Sequence, residues 1–289
     1  MLDWIKYRLF RNDYGKRDVV SEKNQVNIEY SKTINVGDTL SPLIVHWMLD
    51  KKQIPDDKHI PKLRHLMAVG SVVGRGRFDV TLWGTGILKP SKAESIKKQS
   101  KYRRYDIRAV RGPQTRKVLI DAGYDCPDVY GDPAILMPFI YPASVEKKYQ
   151  TSLILHHRTE IISEGKTDQE AYKLLIPKEL VASGALHIIN PKTADFRLFI
   201  DEIVSSERII STSLHGIILA ETYGVPTVFL NWGVADQLIK FKDWYESTDR
   251  TMDYASEFEE ALKKNAMPLP MLSEMQQKLM AVFPYDLWS

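Results

Sequence analysis

The run Ser211-Thr212-Ser213-Leu214-His215-Gly216 sets hydroxyls, an imidazole and a glycine side by side. Short β-branched residues, Ile209 and Ile210, precede it, and apolar residues at helical spacing follow until Gly224 and Pro226. The pattern predicts a strand, a tight turn, a helix and, from Thr227-Val228-Phe229-Leu230, another strand. A helix start carries unpaired backbone N–H groups and the positive end of a dipole, so the turn suits a phosphate or carboxylate. Imidazole is the side chain type that exchanges protons near neutral pH. His215 is therefore a candidate for proton transfer or phosphate stabilisation. The competing reading makes Ser211, Thr212 and Ser213 simple caps and His215 a satisfied polar residue.

Other polar residues fall at similar junctions. Asn35-Val36-Gly37-Asp38-Thr39 follows an alternating run at 26–30 and precedes a helix expected over 40–49. Asp38 or Thr39 would cap that helix and Pro42 would sit in its first turn. In open α/β sheets ligands collect at such places, although Asp38 can equally be no more than a cap. Arg111-Gly112-Pro113 stands between a strand expected at 106–110 and a helix expected at 114–122. Arginine grips carboxylate or phosphate through two parallel hydrogen bonds. Asp132, between Gly131 and Pro133, can orient Arg111 or cap the next turn. His156-His157-Arg158 closes a strand at 152–155. The glycine pairs at 74/76 and 84/86 match neither a P-loop nor a dinucleotide fingerprint.

The elements that must hold these residues alternate strand and helix, with further strands expected at 66–71, 80–86 and 186–190 and a helix behind Asp195. That alternation predicts an α/β protein. The 289 residues suit two domains, 1–145 and 146–289, joined by a linker at 140–150 and ending in a helical region from Tyr254. Residues 91–101 read as a basic surface loop, and Trp232, Lys240, Lys242, Asp243 and Tyr245 as a loop able to bind sugar. A net charge of +3 is too mild to argue for nucleic acid and suits a pocket for a small anion. Cys126 is the sole cysteine, which rules out an internal disulfide and favours a reducing cytosol. No apolar run approaches the ~20 residues of a membrane span. Residues 1–11 mix aromatic and basic side chains without the apolar core of a secretory signal. Such a segment lies on a membrane surface or packs on its own domain. No His/Cys cluster has zinc spacing.

Four motifs occur in order: 35–42 (Asn-Val-Gly-Asp-Thr-Leu-Ser-Pro), 110–116 (Val-Arg-Gly-Pro-Gln-Thr-Arg), 130–134 (Tyr-Gly-Asp-Pro-Ala), and Ser213-Leu214-His215-Gly216 with Gly224-Val225-Pro226. Over residues 26–246 the chain resembles the polysaccharide pyruvyltransferase family. The resemblance implies two Rossmann-like domains facing across a cleft, as in GT-B glycosyltransferases. It implies a transferase that takes phosphoenolpyruvate as donor and a sugar of a surface polysaccharide or exopolysaccharide, free or lipid-linked, as acceptor. No further cofactor or metal is implied. The expected compartment is the cytoplasm, at the inner membrane face where the acceptor is lipid-linked, with peripheral membrane association as a partner expectation. By the same resemblance Arg111 and His215 handle phosphoenolpyruvate and Asp38 belongs to the same site; the reaction needs a base or a group that positions the acceptor, and Asp38 is the candidate for either. Asn35, Gly37, Asp132, Ser211, Ser213 and Leu214 are the expected binding neighbours. His156 falls where the family often carries a histidine, although its neighbours differ.

One departure bears on the donor. Some members have an arginine directly before Leu-His-Gly, and this chain has Ser213. The missing cation must come from elsewhere, with Arg75, Arg77 and Arg158 as candidates. Two other readings stay open. A GT-B glycosyltransferase with a nucleotide-sugar donor would use a carboxylate such as Asp195 or Glu221 for the ribose. A non-catalytic carbohydrate-binding relative would retain acceptor binding alone.

Overall fold

A computed structural model describes residues 25–31, 35–76, 78–157, 160–162, 173–232 and 234–289. In the first half, β1 (Val26–Ile28), β2 (Arg64–Met67), β3 (Val80–Trp83) and β4 (Tyr105–Ala109) lie side by side in chain order. All neighbours are parallel, and a parallel bridge between Val110 and Tyr130 extends the sheet. The helices here are α1 (Val36–Asp50), α2 (Lys92–Gln99), α3 (Pro113–Asp121) and the single turn α4 (Met137–Ile140), which follows a 3-10 turn at Pro133–Leu136.

The second half holds β5 (Ser152–Ile154), a small parallel pair β6 (Glu160–Ile162) and β7 (Lys173–Leu175), then β8 (His187–Ile189), β9 (Ile209–Ser211) and β10 (Thr227–Phe229). Its main sheet runs β10-β9-β5-β8, parallel throughout. Helices α5 (Lys178–Ala182), α6 (Phe196–Val204), α7 (Leu214–Thr222), α8 (Leu238–Ser247), α9 (Phe258–Lys263) and α10 (Ser273–Ala281) complete the chain. Parallel strands need crossover segments that cover both faces. Accordingly β3, β5, β9 and β10 are buried along their whole length.

The two sheets differ in one respect that matters. Strand order in the first never reverses. In the second, β8 lies on one side of β5 while β9 and β10 lie on the other. Adjacent connections therefore diverge between the carboxyl ends of β5 and β9, where a crevice opens for ligand. His156 follows one strand and Ser211 to His215 the other.

One core cluster runs through both halves and includes Leu40, Leu66, Trp83, Ile154, Ile217 and Trp244. The boundary expected near residue 145 falls in irregular chain after α4. Helix α10 returns to the first half, where Trp83 Nε1 donates to Leu279 O at 2.9 Å and Gln276 Nε2 to Ile135 O at 2.7 Å.

Several expectations need correction. Helix α1 starts at Val36, so Asp38 and Thr39 lie inside it and Pro42 sits in its interior. Tertiary contacts set that start: Val36 N donates to Pro191 O at 3.0 Å, and Ser41 Oγ accepts from Val69 N at 3.0 Å. The expected loop at 91–101 is helix α2, formed by good helix formers around one buried aliphatic, Ile96, with a Glu94–Lys98 pair at i,i+4. Of the expected sugar-binding loop, Trp232 lies in irregular chain, while Lys240 to Tyr245 fall in helix α8, in which Phe241, Asp243, Trp244 and Tyr245 are buried. Exposed Lys242 pairs with Glu246.

Cys126 is buried in the first half, and burial pushes its thiol up to about 12. The reactive thiolate is then scarce at ordinary pH. Native protein at pH 8 is expected to resist iodoacetamide and to label fully in denaturant; rapid native labelling would contradict this placement.

Candidate functional site

The turn after β9 is fixed before any ligand arrives. Ser211 Oγ accepts from Ser213 N at 3.0 Å and donates to Ser213 O at 2.9 Å. Thr212 N donates to Ile154 O at 2.9 Å, while His156 N donates to Thr212 Oγ1 at 2.6 Å. These bonds stitch the ends of β5 and β9 together. Ser213 caps α7, its Oγ accepting from Gly216 N at 3.5 Å. Gly216 lets the first turn of α7 press against the sheet, since a Cβ there would stand 2.5 Å from Ser211 Oγ and 2.9 Å from Ile154 Cγ2.

His215 projects from that turn between two other motifs. Its ring lies against Gly37 in the first turn of α1, where an added Cβ would stand 2.0 Å from Nδ1 and 2.9 Å from the histidine Cβ. On the other side, His215 Nε2 is 3.6 Å from Oδ2 of Asp132, a fully buried carboxylate. Asp132 Oδ1 accepts from Ala134 N at 3.1 Å and so caps the 3-10 turn. The glycine of the first motif, the aspartate of the third and the histidine of the fourth thus meet at one point. The His215 side chain keeps 12% of its surface exposed.

The exposed edge of His215 faces a cleft of about 130 Å³. Ser31, Asn35, Ser71, Val72, Arg75 and Leu88 line it from the first half, and His156, His157, Ser213, Leu214, His215, Gln237 and Lys240 from the second. Lys240 Nζ donates to Gln237 Oε1 at 2.7 Å, and the His156 and His157 rings lie 4.2 Å apart. Two cationic side chains and a helix start converge here, an arrangement that favours a small anion. A larger cavity of about 290 Å³ opens at the amino ends of β2 and β3 among Lys62, Arg64, Asp79, Arg104 and Asp106. Its charges are mixed and none of the motifs reaches it.

Five of the residues expected at the site line the cleft: Asn35, His156, Ser213, Leu214 and His215. Gly37 and Asp132 touch His215 from behind, and Ser211 is buried in the turn it shapes. Asp38 stands in the first turn of α1; its side chain, like residues Arg77 and Arg158, lies outside the described residues. Of the three candidate cations, Arg75 is at the cleft.

Arg111 is not where an anion-facing arginine was expected. It is fully buried, and its Nε, Nη1 and Nη2 donate to Asp243 Oδ2 at 3.2 Å, Ser71 Oγ at 2.6 Å and Ile87 O at 2.8 Å. Asp243 Oδ1 and Oδ2 also accept from Thr115 N at 2.9 Å and Thr115 Oγ1 at 2.6 Å. The carboxylate that meets the Arg-Gly-Pro turn and the start of α3 is therefore the protein's own. Burial pushes the Asp243 carboxyl up, opposed by the Arg111 guanidinium and the Thr115 donors. Arg111 reaches the cleft only through Ser71.

The carboxylates considered for a ribose are also committed. Asp195 caps α6 by accepting from Arg197 N and Leu198 N, both at 3.1 Å. Glu221 is buried and holds Arg250 through two bonds of 2.8 Å, with Trp244 Nε1 at 2.9 Å. Ser71, Val72, Leu88, His157 and Gln237 were not anticipated as cleft walls. Lys240, expected on a loop, stands in the first turn of α8, and Gln237 closes the 3-10 turn just before it; their i,i+3 spacing brings them together only once that helix is known.

Gly37→Ala tests the packing. Alanine is intrinsically favoured over glycine in a helix by about 1 kcal/mol. Here its Cβ collides with the root of His215, which rotation of the ring does not relieve. The variant is expected to fold with His215 displaced, and a reaction that depends on His215 to slow by about 10²-fold, the scale for an ångström of misplacement. Unchanged turnover would mean that the contact does not set the position of His215.

Residues 42–233 match the family model for polysaccharide pyruvyl transferase. An uncharacterised protein of Acanthamoeba polyphaga mimivirus is 25% identical over 235 residues, which cover 78% of this chain and 75% of that protein. The crystal structure of an uncharacterised protein from Klebsiella pneumoniae superposes with a TM-score of 0.47 at 11% identity, over 87% of this chain and 98% of that one. The family match takes in Arg111, Asp132, Ser213 and His215, the third and fourth of which stand on the cleft. With residues 42–233 of 289 matched, the chain belongs to the polysaccharide pyruvyl transferase family.

Proposed function

We propose that the chain transfers a pyruvyl group from phosphoenolpyruvate to two hydroxyls of one sugar, forming a cyclic ketal at the His215 cleft. The supporting observation is His215 at the start of α7, seated between Gly37 and Asp132 with one edge open to a cleft that also holds Arg75 and Lys240. A proton added to the methylene carbon of the donor leaves positive charge on the adjacent carbon. One sugar hydroxyl adds there, phosphate leaves with its bridging oxygen, and the second hydroxyl closes the ring. Of the two protons the hydroxyls release, one balances that given to carbon and the other departs with phosphate.

In this reading His215 delivers the proton and Asp38 is the base for the hydroxyls. Arg75, Lys240 and the backbone N–H groups at the start of α7 oppose the donor's phosphate and carboxylate. They take the place of the arginine that some relatives carry where Ser213 stands. Arg111 acts indirectly, by holding Ser71. These steps call for no metal and no further cofactor. The two sheets are read as the paired Rossmann-like domains of a GT-B arrangement, with the cleft between them. No helix among the described residues is long and apolar enough to cross a membrane. The proposed setting is the cytoplasm, at the membrane's inner face if the acceptor sugar is lipid-linked.

Thermal shift separates this reading from a nucleotide-sugar glycosyltransferase. A ligand at a hundred times its Kd adds about 2.7 kcal/mol of stability. Phosphoenolpyruvate is expected to raise Tm by several degrees and nucleotide sugars to leave it unchanged. The reverse pattern would overturn the assignment. The commitment of Asp195 and Glu221 to structural partners favours the first outcome.

A further inference from the structure

We propose that Asp132 is a positioning residue for His215, fixing which ring nitrogen serves the cleft; this rests on the pyruvyl-transfer reading for its kinetic consequence. Among the buried polar atoms that lack a hydrogen-bond partner are His215 Nε2 and Asp132 Oδ2, and the two face each other at 3.6 Å. Each is the group the other lacks. The separation is too long for a formed hydrogen bond, and catalytic bonds commonly tighten only when substrate closes the site.

The carboxylate is held so that it cannot follow other partners. Its Oδ1 is taken by Ala134 N. Its backbone runs from Gly131, at a φ of 136° that favours glycine, into Pro133. Gly84 packs directly on that corner, where an added Cβ would stand 2.6 Å from Gly131 O and 2.4 Å from Pro133 Cδ. Of the two ring nitrogens, Nε2 is among the buried atoms without a partner and Nδ1 is not, which leaves Nδ1 to give or take a proton in the cleft. An acceptor beside Nε2 keeps the proton there in the neutral ring and supports the ring when it is doubly protonated. In a serine hydrolase triad the carboxylate holds the histidine in the same manner.

Asp132→Asn separates this role from simple capping. Asparagine Oδ1 can still accept from Ala134 N, so Tm is expected to stay within a few degrees. The amide removes the charge opposite Nε2, so kcat should fall on the order of 10- to 100-fold, the usual scale for a group supporting a functional histidine. KM for phosphoenolpyruvate should stay within about twofold, since the lost interaction acts on the transition state. Placed on a His215→Asn background, the same change should lower kcat no further, because two residues that act as a unit are not additive.

Long-range proton–nitrogen NMR gives a readout independent of turnover. The protein has seven histidines, and His215 is assigned by its absence from the His215→Asn spectrum. The expected native signature is a proton on Nε2, with that preference weakened or reversed in Asp132→Asn. An unchanged tautomer in Asp132→Asn, or losses that multiply in the double variant, would overturn the proposal. Should the native enzyme fail to turn over phosphoenolpyruvate, the reaction assignment falls while the NMR comparison still decides the positioning.

Discussion

Arg111→Ala is expected to destabilise the fold by about 3–5 kcal/mol, the cost of leaving a buried carboxylate without its partner. Asp243 is fully buried and would face the start of α3 with only the Thr115 donors and that helix end to satisfy it. At this chain length the loss corresponds to a Tm drop on the order of 10 °C. Ser71 Oγ and Ile87 O lose their donors in the same step, so a wall of the cleft loosens as well. Arg111→Lys should recover only part of the loss, because one ammonium cannot reach the points that the planar fork spans. Urea titration and calorimetry of both variants measure this. A variant of normal stability that has lost only its affinity for phosphoenolpyruvate would return Arg111 to the donor site.

His215→Asn is expected to do the opposite. Its ring is packed against Gly37 but makes no hydrogen bond that holds a helix or strand in place, so Tm should move by no more than a few degrees. Turnover should fall by about two to four orders of magnitude, the range for a lost general acid–base group. Measuring melting and specific activity on one preparation distinguishes the two roles. A large fall in Tm with near-normal activity in the folded fraction would make His215 structural.

The contrast between these residues shows how much was legible in the chain. The unit from Ile209 to Phe229 could be read because its signals are local: apolar runs, Ser213 as cap, Gly224 and Pro226 as stop. The start of α1 could not. Asp38 and Thr39 resemble caps, but the helix begins where Val36 N finds Pro191 O on the other half of the molecule. The same holds for Arg111. An arginine at a helix start reads as an anion site, and the site is real, but its anion is Asp243. That aspartate reads as a loop residue because Lys240, Lys242 and Asp243 mask the buried face made by Phe241, Trp244 and Tyr245. Family resemblance brought His215, Gly37 and Asp132 onto one roster. Only the packing shows that the glycine makes room for the ring and that the aspartate faces its far nitrogen.

Ketal formation from phosphoenolpyruvate at His215 can be assayed with purified components. Purified protein is incubated with phosphoenolpyruvate and a panel of free and lipid-linked oligosaccharides, with phosphate release followed and products weighed by mass spectrometry. Phosphate release is expected to depend on one acceptor, with a product heavier by one pyruvate less one water, and both are expected to be lost in His215→Asn. Acceptor binding without transfer, or transfer of a sugar from a nucleotide donor instead, would contradict this expectation.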